Sequence, residues 1–187
     1  MVIPIDDAQS YTDSYRLHFA AVESYVRRRV GADAVQDVVA EVFTVAWRRW
    51  HEAPRERLLP WLYGVARLTL ANAYRDERRH RALADSLTRT AAEQVADDHA
   101  ADVSARLVVA AAFETMRPAD REVLRLDVWE GLAPRDAALV LGCTTAAFHV
   151  RLHRARRRFR QALAVTEITE APRRHTSVLT EAEWGTR

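Results

Sequence analysis

The stretch that decides the fold is GLAPRDAALVLGCTTAAFHVRLHRARRRFRQAL, residues 131–163. It contains a short helical pattern from Pro134 to Leu141, a Gly142-Cys143-Thr144 turn, and a longer helical pattern from Thr145 to about residue 165. Proline is favoured at the first position of a helix, and glycine commonly ends one. Two helices joined by a glycine-containing turn of this length form the helix-turn-helix arrangement. The stretch therefore predicts a helix-turn-helix module.

The second helix of this module divides into two faces. When successive residues are placed 100° apart, five apolar residues fall within about 80° of one another and form one buried seam. This seam consists of Phe148, Leu152, Ala155, Phe159 and Leu163. The side chains that point away from it are His149, Val150, His153, Arg154 and Arg157. An anchored helix with basic side chains projecting outward has the geometry that reads base edges in a DNA major groove.

The charge of this helix supports the same interpretation. Residues 148–163 contain six arginines and two histidines, and no acidic residue lies between Asp136 and Glu167. The whole chain, in contrast, has a formal net charge of only +2. A basic face that is simply solvated is the alternative, but solvated helices usually mix both signs so that neighbouring turns form ion pairs. We therefore expect the basic face to bind phosphates and bases.

Helical spacing dominates the rest of the 187-residue chain, in which the five glycines and six prolines fall mostly at boundaries. We expect an all-α protein with two small helical domains joined by a flexible linker, the C-terminal domain being the helix-turn-helix. The expected bounds are 8–83 for the first domain, 84–103 for the linker and 104–165 for the second domain. Residues 166–187 are expected to be a disordered or regulatory tail.

The first domain is expected to contain three helices, at residues 11–30, at residues 32–50 and from about Pro60 onward. An acidic row runs along the second helix beside its buried valines. It consists of Asp33, Asp37 and Glu41, at positions i, i+4 and i+8. Such a row suits a basic partner, although it could also be an exposed face without one. Trp50 and Trp61 lie on apolar stretches, so we expect them in the core rather than stacked on bases.

Several classes of function are disfavoured by the sequence. Cys143 is the single cysteine, which excludes an intrachain disulfide and a cysteine-based zinc site. A di-metal helical bundle needs Glu-x-x-His on two facing helices, and the chain contains this motif only once, at Glu77 and His80. Phosphate-cradling glycine loops and glycine-flanked serine nucleophiles are also missing. We therefore expect no enzyme, no cofactor and no metal. Without a signal-peptide pattern or a long apolar run, we expect a cytoplasmic protein with no membrane insertion.

Three segments resemble one family, the extracytoplasmic-function (ECF) RNA polymerase sigma factors of the sigma-70 class. Residues 131–163 resemble their C-terminal promoter-binding domain, with its A-x-x-L-G turn and R-L-x-R-A-R run. DAVQDVVAEVFTVAWRRW, residues 33–50, resembles their core-binding helix, with its D-x-x-x-E-x-F-x-x-AW pattern. WLYGVAR, residues 61–67, resembles the helix that follows. Two motifs in this order, about 100 residues apart, are far more specific than a helix-turn-helix alone.

The resemblance implies a protein that binds bacterial core RNA polymerase and promoter DNA and directs transcription initiation. It implies that clamp helices of the largest polymerase subunit are bound through Asp33, Asp37, Glu41 and Arg48. It implies contacts with the −10 element for His51, Arg55, Arg57, Asn72, Arg75, Arg78 and Arg79. It implies contacts with the −35 element for His149, Val150, Arg151, His153, Arg154, Arg156, Arg157 and Arg158. An anti-sigma partner is also expected.

Some positions depart from the family pattern. Leu68 stands where an asparagine is usual, and Asn72 where an aspartate is common. In the helix-turn-helix, Ala147-Phe148-His149 replaces the usual Thr-Val-Lys, and Ala133-Pro134 replaces Ser-Tyr. We therefore expect an unusual promoter preference. The alternative function is a stand-alone helix-turn-helix regulator, which would need a dimer interface that only the linker or the tail could supply.

Overall fold

A computed structural model describes residues 5–84 and 100–170, with side chains described for residues 7–75 and 106–166. These residues form helices and turns without a strand, which confirms the predicted all-α class. The helices are α1 (Ile5–Arg27), α2 (Val35–Arg48), α3 (Leu58–Ala84), α4 (Ala100–Glu114), α5 (Pro118–Val128), α6 (Pro134–Leu141) and α7 (Thr145–Glu170). None of these helices combines the length and the apolar character that crossing a membrane requires.

Several boundaries differ from the expected ones. Helix α1 begins at Ile5 instead of residue 11, and α2 begins at Val35, after a short 3-10 turn at Ala32–Ala34. Helix α7 continues to Glu170, past the expected end near residue 165. Residues 85–99 of the predicted linker and residues 171–187 of the predicted tail lie outside the described part. The predicted domain bounds therefore stay predictions.

The chain separates into two compact units. One unit combines Met1–Ala92 with Leu126–Phe148, and the other combines Glu93–Arg125 with His149–Arg187. Because α6 lies within Leu126–Phe148, the first helix of the helix-turn-helix belongs to the same unit as α1, α2 and α3. Within that unit, α6 packs directly against α3. The sequence patterns did not predict this grouping.

The core of the first unit follows from the apolar spacing of α1 and α2. Val22, Val26 and Val42 are fully buried. The phenol of Tyr11 donates a 2.7 Å hydrogen bond to the Phe43 carbonyl oxygen and contacts the Trp50 ring edge-on. Burial raises the pKa of Tyr11 to about 12, which keeps this phenol a neutral donor.

The two tryptophans expected in this core differ in their burial. Trp50 is 4% exposed, which confirms its expected place in the core. Trp61, in contrast, is only half-buried. It lies on the first turns of α3 and lines a groove together with Val140 of α6. Trp61 thus contributes to the surface on which α6 packs.

The turn of the helix-turn-helix is fixed by its own backbone. Gly142 has a φ of +61° in the left-handed region and ends α6. The Cys143 amide donates a 3.0 Å hydrogen bond to the Ala138 carbonyl oxygen, the pattern that closes a helix with a left-handed glycine. The hydroxyl oxygen of Thr144 then accepts a 3.1 Å hydrogen bond from the Ala147 amide and caps the start of α7. The predicted helix-turn-helix boundary is confirmed.

Candidate nucleic-acid interface

The outward face of α7 is exposed as predicted. Phe148 and Ala155 of the seam have no exposed surface, and Leu152 has 6%. The last two seam residues, Phe159 and Leu163, are half-buried. The exposed side chains are His149, Val150, Arg151, His153, Arg154, Arg156 and Arg157. The helical projection thus separated the anchoring residues from the outward ones.

Three arginines of this face are available to an external ligand. Arg151, Arg154 and Arg157 form neither an ion pair nor a hydrogen bond through their side chains with any residue that the structure describes. The exposed Val150 lies among them and offers an apolar contact. Arginine can donate two parallel hydrogen bonds to a guanine edge or contact a phosphate, and an apolar side chain can contact a thymine methyl group. This face can therefore both read bases and neutralise phosphates.

Arg158 differs from its neighbours because it has an internal partner. Its Nη1 donates to both carboxylate oxygens of Asp120, at 2.9 and 2.7 Å. The Asp120 side chain is 12% exposed, so this ion pair ties α7 to the first turn of α5. Helical projection could not reveal this pair, because the two residues are 38 positions apart. The structure therefore gives Arg158 a role in positioning α7.

The acidic row is shorter than the sequence spacing suggested. Asp37 and Glu41 lie on one exposed side of α2, whereas Asp33 lies in the preceding 3-10 turn. Asp37 and Glu41 line an open cleft of about 600 Å³ between α2 and α3. Its other lining residues include Val38, Val45, Leu68, Thr69 and Asn72. The cleft therefore combines an apolar floor with an acidic rim, while Arg48 is exposed at the end of α2 and does not line it.

The segment after Trp50 makes two short 3-10 turns before α3 begins. Arg55 stacks over the Trp50 ring at 4.2 Å and donates a 3.2 Å hydrogen bond to Asp7. Arg57 faces Asp136 at 3.9 Å. His51 is exposed, with its ring 3.8 Å from Glu52. The structure thus gives both arginines of the predicted −10 loop intramolecular partners.

The predicted −10 residues of α3 are only partly described. Asn72 and Arg75 are exposed, and the Arg75 guanidinium donates a hydrogen bond to the Asn72 side chain. Asn72 also lines the cleft that contains Asp37 and Glu41. Arg78 and Arg79 lie within α3, but their side chains are outside the described part. In the described part of the chain, no cluster of three or more histidine, cysteine, aspartate or glutamate side chains could hold a metal ion.

Two family descriptions match separate parts of the chain. Residues 15–80 match sigma-70 region 2, and residues 106–159 match sigma-70 region 4. The first match contains α2, the cleft and most of α3. The second contains α5, α6, the turn and the basic face of α7. The matches therefore coincide with the candidate surfaces described above.

Similar solved structures show that the fold is shared. The sigma factor RpoE, crystallised with the anti-sigma factor NepR from Bartonella quintana, aligns with a TM-score of 0.64 at 21% identity, over 84% of this chain and 98% of that chain. CnrH, in complex with the cytosolic domain of CnrY, aligns with a TM-score of 0.58 at 22% identity, over 84% and 90% of the two chains.

Curated relatives identify the family. "Probable RNA polymerase sigma factor RfaY" of Xanthomonas campestris pv. campestris is 33% identical over 150 residues, which are 76% of this chain and 37% of that relative. The ECF RNA polymerase sigma factor SigD of Mycobacterium tuberculosis is 31% identical over 152 residues, which are 76% of this chain and 71% of SigD. The resemblance found in the sequence motifs is confirmed: the chain belongs to the ECF family of RNA polymerase sigma factors.

Proposed function

We propose that this chain binds bacterial core RNA polymerase in the cytoplasm, recognises the −10 and −35 promoter elements and directs transcription initiation without catalysing a reaction itself. The observation that carries this proposal is the outward face of α7, whose opposite side is buried. From it project Arg151, Arg154 and Arg157, which have no side-chain partner among the residues that the structure describes. An anchored helix with free guanidinium groups fits a major groove.

Core polymerase binds at the cleft between α2 and α3 in this proposal. Asp37 and Glu41 supply negative charge at its rim, and Leu68 and Val45 supply an apolar floor. A partner helix with one apolar side and one basic side would meet both surfaces at once. Asp33 and Arg48 flank this surface from outside the cleft, so we assign them a weaker contribution through charge alone.

The −35 element is read by α7. We assign base contacts to Arg154, His149, His153 and Val150, because these side chains project from the exposed side of the first three turns. We assign phosphate contacts to Arg151, Arg156 and Arg157, since such contacts fix the position of a protein on DNA without specifying sequence. Arg158, which was predicted to contact phosphate, is assigned here to holding α7 through Asp120.

The −10 element is contacted by the segment after Trp50 and by α3. The exposed His51 and the Arg55 guanidinium, which is held over Trp50 and beside Asp7, form a preorganised edge for a melted base. The proposal extends this surface to Arg57, Asn72, Arg75, Arg78 and Arg79, which follow along α3 and the turn before it. An anti-sigma partner, such as NepR in the complex with RpoE, belongs to the proposal as well.

The proposal is tested by run-off transcription with purified core polymerase, a promoter library and the full chain. We expect core-dependent transcripts from promoters with paired −10 and −35 elements. The double variant Asp37→Asn/Glu41→Gln should bind core polymerase at least about tenfold more weakly, because two charge-assisted contacts are removed. Glu114→Gln is the control for the loss of a surface carboxylate elsewhere, since Glu114 at the end of α4 forms an exposed ion pair with Arg121 of α5.

The stand-alone regulator makes the opposite prediction. In that case the chain would give no core-dependent transcripts, would bind a palindromic site tightly on its own, and would bind DNA equally well with and without the Asp37→Asn/Glu41→Gln substitutions. That combination of results would reject the sigma-factor proposal.

A further inference from the structure

Two side chains of α1, one helical turn apart, contact the start of the predicted −10 loop, residues 51–57. Oδ1 of Asp7 accepts a 3.2 Å hydrogen bond from Nη2 of Arg55, and the Tyr11 ring meets the Trp50 ring edge-on, with 5.1 Å between their centroids. The Arg55 guanidinium in turn lies 4.2 Å from the centroid of the Trp50 ring. Because Asp7 and Tyr11 share one face of α1, these contacts form a closed ring of four residues. We call them the α1–loop cluster.

Trp50 is held in this cluster by ring contacts instead of a hydrogen bond. The residue is 4% exposed, and within the described part of the chain its Nε1 has no hydrogen-bond partner. Its position therefore depends on the groups that pack against its ring, Tyr11 and Arg55. Tyr11 is itself fixed, because its phenol donates a 2.7 Å hydrogen bond to the Phe43 carbonyl oxygen and its ring meets Trp47 edge-on.

The ion pair between Asp7 and Arg55 is too exposed to contribute much to the stability of the fold. The Arg55 side chain is 46% exposed and the Asp7 side chain 37%, and exposed ion pairs contribute little to the free energy of unfolding. The pair does restrict the Arg55 side chain, which is long and has many rotamers. An arginine that is already held over a tryptophan loses less conformational entropy when it binds a ligand. The ion pair therefore affects orientation more than stability.

Both α1 residues of the cluster precede the part of the chain that matches sigma-70 region 2. That match begins at residue 15, whereas Asp7 and Tyr11 belong to the first turns of α1. The hydrogen bond from Arg55 to Asp7 joins positions that are 48 residues apart. All four residues lie in the same compact unit. The start of α1 thus supports a loop whose own residues lie within the family match.

We propose that Asp7 and Tyr11 are positioning residues for promoter opening, which hold Arg55 and Trp50 in the orientation that receives an unpaired base of the −10 element. This inference rests on the proposed function, because that function assigns the melted base to this loop. Asp7 acts through the Arg55 guanidinium and Tyr11 acts through the Trp50 ring. An unpaired base then meets side chains that are already ordered, so its capture costs less conformational entropy.

The charge of Asp7 gives an opposite expectation that the experiments must separate. A carboxylate beside a DNA-binding loop repels phosphates, so its removal alone would raise the affinity for paired and unpaired DNA alike. Loss of positioning, in contrast, lowers the affinity only for DNA that offers an unpaired base. The ratio of the two affinities therefore distinguishes positioning from repulsion.

The structural part of the proposal is tested by hydrogen exchange on the full chain without polymerase. The Glu52 and Ala53 amides donate hydrogen bonds of 2.9 and 3.1 Å to backbone carbonyl oxygens at the start of the loop. Asp7→Ala should speed their exchange about two- to tenfold, the range expected for releasing one long side chain. Asp13→Ala is the matched control, because it removes an exposed carboxylate of α1 that does not touch the loop. Unchanged exchange in Asp7→Ala would overturn the proposal.

The functional part is tested by binding of the holoenzyme to one promoter in two forms. One form has a fully paired −10 element, and in the other mismatches hold the same element unpaired. Wild type and Asp13→Ala should prefer the unpaired form. Asp7→Ala should reduce that preference about two- to tenfold, because Arg55 must then be ordered on binding. An equal rise in affinity for both forms, or an unchanged preference, would overturn the positioning role.

A double-mutant cycle tests whether Asp7 acts through Arg55. In an Arg55→Ala background, Asp7→Ala should cause no further loss of the preference for unpaired DNA. A full additional loss would place the effect at the start of α1 itself, where a carboxylate favours the helix, and would overturn the proposal.

Variants of Tyr11 test the second contact. Tyr11→Phe keeps the ring against Trp50 and removes the hydrogen bond to Phe43, so the preference for unpaired DNA should stay close to that of the wild type. Tyr11→Ala removes the ring and should lower the preference; a folded Tyr11→Ala protein with the wild-type preference would overturn the role of Tyr11. If circular dichroism shows that Tyr11→Ala does not fold, the Asp7 variants, at a partly exposed position, still decide the proposal.

Failure of the proposed function has a different signature. A wild-type chain that neither binds these promoters together with core polymerase nor yields transcripts would reject the sigma-factor proposal. Hydrogen exchange in the free chain would still decide whether Asp7 holds the loop, because that measurement needs neither polymerase nor DNA.

Discussion

At the scale of single residues, the buried and exposed sides of α7 follow from helical periodicity, and their partners do not. The spacing of Phe148, Leu152 and Ala155 was sufficient to predict which side is buried. Periodicity treats Arg157 and Arg158 as equivalent basic residues. Only the folded chain shows that Arg158 is bound to Asp120, which α5 brings close to α7. Local spacing predicts faces, whereas pairing between helices depends on tertiary packing.

Arg154 and Arg157 should separate base reading from phosphate binding. Arg154→Ala is expected to cost about 1–3 kcal/mol of binding free energy at the preferred −35 sequence and to relax base preference at one position. Arg157→Ala should weaken binding to all promoters similarly, because a phosphate contact carries no sequence information. The measurement is binding of the holoenzyme to a library of −35 sequences.

Arg158→Ala is the comparison for that experiment. Loss of the Arg158 guanidinium should lower the melting temperature of the protein more than it changes the affinity for promoter DNA, because this guanidinium is hydrogen-bonded to Asp120. If Arg154→Ala and Arg157→Ala gave the same loss on every promoter, the assignment of Arg154 as a base-reading residue would be wrong.

At the scale of elements, the glycine turn was predictable and the helix starts were less so. Gly142 stands between two apolar repeats, which is a strong signal for a helix end. The start of α1 at Ile5 was missed because the polar residues before Tyr11 lack a clear apolar repeat. Asp33 was counted with α2, but Gly31 and the 3-10 turn at Ala32–Ala34 place it before that helix.

The conformation of Gly142 gives a prediction for this element. Gly142→Ala should destabilise the protein by about 1–2 kcal/mol, because the Cβ atom of an L-residue at positive φ lies too close to the following carbonyl oxygen. Apart from Gly142 and its two chain neighbours, no residue has an atom within 4 Å of the added methyl group, so the cost arises from the backbone conformation. Thermal unfolding followed by circular dichroism measures it. Gly142→Asn should lose less, since asparagine tolerates the left-handed conformation better; equal losses would refute the backbone explanation.

At the scale of the whole molecule, the overall composition does not show where charges are concentrated or which charges are buried. A net charge of +2 suggests little affinity for DNA, yet α7 concentrates exposed arginines on one side. Glu130 and Arg29 look like ordinary surface charges in the sequence, but both are almost fully buried. Their burial depends on bringing together residues about 100 positions apart, and no local pattern encodes that. Family motifs in the sequence indicated the family, whereas the ion pairs of Glu130 with Arg28 and Arg29 are visible only in the folded chain.

Salt dependence reports how many phosphates the molecule neutralises. For wild-type holoenzyme on promoter DNA, the logarithm of the binding constant should fall linearly with the logarithm of salt concentration. Arg157→Ala should reduce the magnitude of that slope by about 1, since one fewer counterion is released. Arg158→Ala should leave the slope unchanged. Fluorescence anisotropy between about 50 and 200 mM salt provides the measurement, and equal slope changes for the two variants would contradict the assignment.

The ion pairs of Glu130 with Arg28 and Arg29 also affect which segments of this chain can be exchanged with those of a relative. The acidic partner lies within the region 4 match and the basic partners within the region 2 match. A recombination event that replaced residues 106–159 with those of a relative would bring in a foreign residue opposite the two arginines. We expect a hybrid of this chain to fold as stably as the parent only when this acid and its arginines are transferred together, because an unpaired buried charge is strongly destabilising.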